Sequence, residues 1–74
     1  MVKEITITSK EQVEKIHELA SQVPYEVWLS NSTMMLDARS LLGLFALVGQ
    51  KARVVAEDSV NEKAFDRLVS KMAN

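Results

Sequence analysis

The chain has 74 residues, of which 47% are apolar and 26% charged, and its formal net charge is −1. A chain this short supports one domain with one core, since it buries only about 60% of the surface its unfolded form exposes, and its composition is far from that of a disordered segment. The lack of cysteine excludes disulfides, thiolate metal sites and thiol nucleophiles, and points to a fold held by packing in a reducing cytoplasm.

Met1 to Thr6 is charged and alternating, where a signal peptide would be continuously apolar. No run approaches the roughly 20 apolar residues of a membrane span, so neither export nor a membrane is expected. Nine basic against ten acidic residues leave no positive excess for a phosphate backbone, and nucleic acid is not an expected partner. Ile5-Thr6-Ile7-Thr8 alternates as a half-buried strand does. Ser9 and Gln12 have capping-box spacing, which starts a helix by satisfying its first N–H groups. Val13, Ile16, Ala20 and Val23, with Leu19, form its buried stripe; Glu11, Lys15, Glu18 and Gln22 lie off it. The helix ends before Pro24.

Glu26 to Ser30 and Thr33 to Asp37 read as a hairpin around the turn residues Asn31-Ser32. Ser40 can cap a short helix in which Leu41, Leu42, Leu44, Phe45, Leu47 and Val48 are too dense for one buried face. After Gly49, Lys51 to Ala56 fits a fourth strand. A last helix carries Ala64, Phe65, Leu68, Val69 and Met72, with Ser59 (spaced from Glu62 as in a capping box) and Asn61 as rival caps. The order β-α-β-β-α-β-α, without repeat or linker, predicts a two-layer α+β sandwich formed by residues 1–74 as a single domain.

Ala38-Arg39-Ser40-Leu41-Leu42-Gly43-Leu44 resembles the stretch Ala-Lys-Ser-apolar-apolar-x-Leu of HPr, the small phosphocarrier family of the bacterial sugar phosphotransferase system. The similarity extends back through Glu26-Val27-Trp28-Leu29 and Asn31, and forward through Glu62 to Met72. The resemblance implies an open-faced β-sandwich: a four-stranded antiparallel sheet with three helices on one face. HPr proteins carry a phosphorylatable histidine in a Gly-His-x-Arg-Pro type loop at the N-terminus of the first helix, where helix N–H groups and the arginine stabilise the added charge. Here Thr8-Ser9-Lys10-Glu11-Gln12 runs straight into the helix without glycine, proline, arginine or histidine, so the resemblance stops at the carrier site.

His17, the only histidine, falls about one residue off the buried stripe and reads as a boundary residue; as a phosphoryl acceptor it has no helix N-terminus or arginine nearby in sequence. It has no histidine or cysteine partner for a metal site. Ser40 matches the regulatory serine phosphorylated in many HPr proteins, and a phosphate there would alter what Leu41 and Leu42 can bind; the plainer reading is an N-cap. Leu41, Leu42 and Phe45 are the partner-surface candidates, since the matching helix and the first helix form the HPr docking face. Leu44 and Leu47 are expected in the core. Trp28 should lie on the open sheet face, packed against long side chains such as Lys51 or Arg53, or forming a second surface. Of Met34 and Met35, one should point in and one out.

These features predict an HPr-like protein that is not an enzyme, has no carrier histidine, and serves as a regulatory or protein-binding module. Two alternatives stay open: an atypical phosphocarrier using His17, and an HPr-fold binding protein unrelated to sugar transport. The expected partners are proteins, either phosphotransferase-system components or a regulator, with a homodimer through the apolar patch as a further option. No cofactor or metal is expected.

Overall fold

A computed structural model describes residues 1–73. The alternation near the start forms strand β1, Val2–Thr6, shifted toward Met1 from the expected Ile5 to Thr8. Ile7, just past it, still donates to the Gln50 carbonyl at 2.9 Å and accepts from the Gly49 N–H at 2.7 Å. Gly49 has a φ of +88°, which glycine adopts without a Cβ penalty.

Helix α1 spans Lys10–Gln22, and Ser9 Oγ accepts the Gln12 N–H at 3.2 Å. The reciprocal half of the capping box is redirected. Gln12 Oε1 accepts from Thr8 N–H at 2.9 Å and from Thr8 Oγ1 at 3.1 Å, while Nε2 donates to the carbonyls of Thr6 and Met72, each at 2.9 Å. Gln12 is the one buried polar side chain among the described residues, and both ends of its amide are engaged.

The hairpin is shorter than expected: β2 is Trp28–Ser30 and β3 is Met35–Asp37. Asn31 Oδ1 accepts from the N–H groups of Thr33 (2.9 Å) and Met34 (3.0 Å), which builds the turn. Met35 alternates with the inward Leu36 and so takes the open face of β3, at 56% exposure, while the turn holds Met34 outside the strand, at 39%; the expected inward methionine is not found. Helix α2 is Leu41–Phe45, β4 is Lys51–Val55 and α3 is Glu62–Met72. Of the rival caps for α3, Asn61 is used: its Oδ1 accepts the Ala64 N–H at 3.0 Å.

The sheet order is β1-β4-β2-β3, with every neighbouring pair antiparallel. On its covered face Ile5 pairs with Ala52, and Leu29 with Val54 and Leu36; Val13, Ile16, Leu44, Leu47, Phe65 and Met72 close over them. The open face carries Val2, Val55, Trp28 and Asp37 in one cross-strand row. Trp28 is therefore half-buried beside Val55 and Asp37; Arg53 is only a diagonal neighbour, and Lys51 pairs away from it with Thr6. This is the two-layer α+β arrangement that the element order predicts, in the open-faced form that the resemblance implies.

Replacing Gln12 with leucine keeps the volume but strands backbone groups of Thr6, Thr8 and Met72. Urea denaturation should show a loss of about 2–4 kcal/mol, against about 1 kcal/mol for Ser9→Ala, which removes a cap alone. Equal losses in the two variants would contradict this role for Gln12.

Candidate functional site

Only Ile7, Thr8 and Ser9 separate β1 from α1. The start of α1 is occupied by its own partners: Ser9 Oγ takes the Gln12 N–H, the Ser9 carbonyl takes the Val13 N–H at 3.3 Å, and Glu11 supplies the negative charge that the helix dipole favours. The N-terminus of α1 thus serves the fold and brings no histidine or arginine to an anion.

His17 lies two turns further along, roughly 10 Å from Lys10 at 1.5 Å per residue. It is half-buried next to the stripe that faces the core, as a boundary residue should be. Its Nδ1 is shielded from solvent and has no hydrogen-bond partner, and its carbonyl accepts the Ser21 hydroxyl at 2.8 Å. Among the described residues, no group of three histidine, aspartate or glutamate side chains is placed to hold a metal, and no helix is long and apolar enough to cross a membrane.

The short helix α2 is positioned by what precedes it. Asp37 Oδ1 accepts the Arg39 N–H at 2.9 Å and the Asp37 carbonyl accepts the Ser40 N–H at 2.9 Å. The Arg39 guanidinium then spans Asp37 Oδ2 at 3.3 Å and Glu26 Oε1 at 3.2 Å, tying the helix entry to the segment that leads from α1 into β2. Ser40 occupies the N-cap position, yet its hydroxyl makes no capping bond; the expected side-chain cap is replaced by the Asp37 turn. Its Oγ instead sits where a Cβ on Gly43 would meet it at 3.2 Å. The missing side chain at Gly43 also lets Leu36 approach, with both methyl carbons 3.4 Å from that Cβ position.

In α2 and the turns after it the apolar residues divide. Leu44 and Leu47 are fully buried, Leu41, Phe45 and Val48 are half-buried, and Leu42 is 86% exposed. A five-residue helix cannot bury so many apolar side chains against one sheet, so Leu42 is left in water. Phe45 and Val48 join Lys10 around a shallow depression of about 350 Å³ between α1 and α2. Leu41, Leu42 and Phe45 therefore belong to one short surface segment, with Ser40 exposed at its entry. No local sequence pattern marks Lys10 as part of this site, because only the packing of the two helices brings it to Phe45 and Val48.

Arg39 also sets the electrostatics here. Its side-chain hydrogen bond, followed by its backbone N–H, holds the Asp37 carboxyl below the usual aspartate range. A lowered folded value means that this contact stabilises the fold fully above the unfolded aspartate value of about 3.9 and is lost as pH falls through the folded value. In a carboxyl-carbon NMR titration, Asp37 should titrate below an unpaired aspartate, and Arg39→Gln should move it upward. An unchanged Asp37 titration in that variant would contradict the pairing.

No family model matches the chain, and no curated protein matches it. Solved structures do. A phosphocarrier protein HPr from Bacillus anthracis str. Ames superposes with a TM-score of 0.73 at 16% sequence identity, covering 96% of this chain and 94% of that one. HPr-C-His from Thermoanaerobacter tengcongensis gives 0.71 at 21% identity, over 100% of this chain and 94% of that one. With four antiparallel strands, three helices and the same extent of chain, the protein has the fold of the HPr phosphocarrier proteins.

Proposed function

We propose that this is an HPr-like module of the phosphotransferase-system family that acts by docking to a protein through its α1–α2 face and does not carry phosphate on a histidine. The observation that carries the reading is Leu42, exposed at 86% on a helix whose other leucines are buried or half-buried. It is three residues before Phe45 on α2, and Phe45 lines the depression with Val48 and Lys10. An exposed leucine next to half-buried aromatic and aliphatic groups is how a small docking surface is built: a partner gains apolar burial that folding left unused. The short β1–α1 connection supports the second half of the reading, since it leaves the start of α1 to Ser9 and Gln12 and places no imidazole there.

Ser40 is the regulatory point in this scheme. The residue is exposed and its hydroxyl is not used as a cap. A phosphate on it would put nearly two negative charges beside Leu41 and Leu42 and disfavour an apolar partner. Treatment with HPr kinase and ATP should add a phosphate that mass spectrometry places at Ser40.

The docking face is tested by retaining proteins from a cell extract on the immobilised chain. Partners held by the wild type should be lost with Leu42→Asp and with Phe45→Ala. Leu42→Asp itself should change stability by no more than about 0.5 kcal/mol, because the side chain buries little surface. Sedimentation of the purified chain distinguishes a second copy as the partner: dimers that dissociate in Leu42→Asp identify self-association. Equal retention by wild type and both variants, with no change in sedimentation, would contradict docking at this face.

A further inference from the structure

On the opposite flank of α1, a groove of about 340 Å³ runs between the end of that helix and α3. Its apolar lining includes Leu19, Val23, Tyr25 and Leu68, with Arg67 and Lys71 from α3 on its bank and no carboxylate among its lining residues. The α3 bank is cationic for a geometric reason: Lys63, Arg67 and Lys71 recur every four residues and so form one ridge along the helix. All three are exposed, and none is in an ion pair among the described residues. The α3 carboxylate that does pair, Asp66, is held at 2.9 Å by Lys3 of β1 and does not line the groove. Partial burial pushes the Tyr25 phenol above its ordinary value, so the groove gains no anion from it at neutral pH.

We infer that this groove is a second docking site, for an acidic segment of a partner protein that inserts an apolar side chain between α1 and α3 and sets its carboxylates against Arg67 and Lys71. Charge complementarity selects the occupant. A chain with net charge −1 has gathered on one ridge three cations that are in no ion pair among the described residues, and such a ridge attracts anions. The apolar lining sets the rest of the chemistry. A flat bilayer cannot follow a recessed groove between two helices, and a phosphate backbone would use the ridge while leaving Leu19 and Tyr25 unburied. A peptide with an apolar centre and acidic flanks uses both. This site lies on different residues from Leu42 and Phe45, so it stands or falls separately from the reading of the α1–α2 face.

The test is a titration of the isotopically labelled full chain with a capped peptide that has a Leu-Phe centre flanked by glutamates, followed by amide NMR. Shifts should concentrate at Leu19, Val23, Tyr25, Arg67, Leu68 and Lys71. Affinity should fall at least about tenfold in the double variant Arg67→Glu, Lys71→Glu, which removes both charge-assisted hydrogen bonds to the peptide carboxylates. Leu42→Asp should bind the peptide as the wild type does. Both substitutions in the double variant are at exposed positions, and circular dichroism verifies that it folds. Three results would overturn the inference: no groove shifts at millimolar peptide, equal binding of a control peptide with lysine flanks, or binding of an oligonucleotide or of phosphatidylserine vesicles at the ridge in place of the acidic peptide.

Discussion

The side-chain amide of Gln12 joins three parts of the chain that are remote in sequence or direction. It takes the Thr8 N–H as β1 gives way to α1, and it reaches the carbonyls of Thr6 behind it and of Met72 in the last turn of α3. A buried amide is stable only with its donors and acceptors satisfied, and here both ends are. One residue therefore sets where α1 leaves the sheet and where α3 ends against it. Everything displayed on the two flanks of α1 inherits that placement: α2 with Leu42 and Phe45 on one side, the cationic ridge of α3 on the other.

The same interaction bears on the proposal that the start of α1 is not a carrier site. A phosphohistidine loop needs spare length between strand and helix, and free helix N–H groups aimed at an anion. In this chain the connection is Ile7, Thr8 and Ser9, pinned by Gln12 on one side and by the exchange of Ile7 with Gly49 and Gln50 on the other. The helix start is stabilised by Ser9 and by Glu11, so groups of the chain itself meet the positive end of the helix dipole.

Much of this is legible in the residues because local chemistry and tertiary structure agree. The Ser9–Gln12 spacing, the Val13-Ile16-Ala20 stripe and Pro24 define α1 to within a residue or so, and the stretch from Ala38 to Leu44 leads to the fold that the solved HPr structures share. Departures occur where distant parts of the chain decide. Gln12 has the spacing of half a local capping box, but Met72 is 60 residues away and no pattern links them. Ser40 has the position of a cap, but Asp37 and Arg39 settle that turn through interactions that include Glu26. Of Met34 and Met35, alternation with Leu36 puts Met35 on the open face, but the Asn31 turn holds Met34 outside the strand and away from the core. The density of leucines after Ser40 signals surplus apolar surface, while the identity of the exposed one depends on how α2 meets the sheet.

The solved HPr structures share the fold of this chain, and the proposed function follows from pairing that fold with a first helix that starts without a histidine. In that proposal the chain acts by contact: apolar at α2, and mixed acidic and apolar at the α1–α3 groove. The most direct measurement is phosphoryl transfer. Incubated with phosphoenolpyruvate and Enzyme I, the protein should acquire no acid-labile phosphate while an HPr control is fully labelled. An acid-labile phosphoryl group that appears on the wild type and disappears in His17→Ala would contradict the central claim.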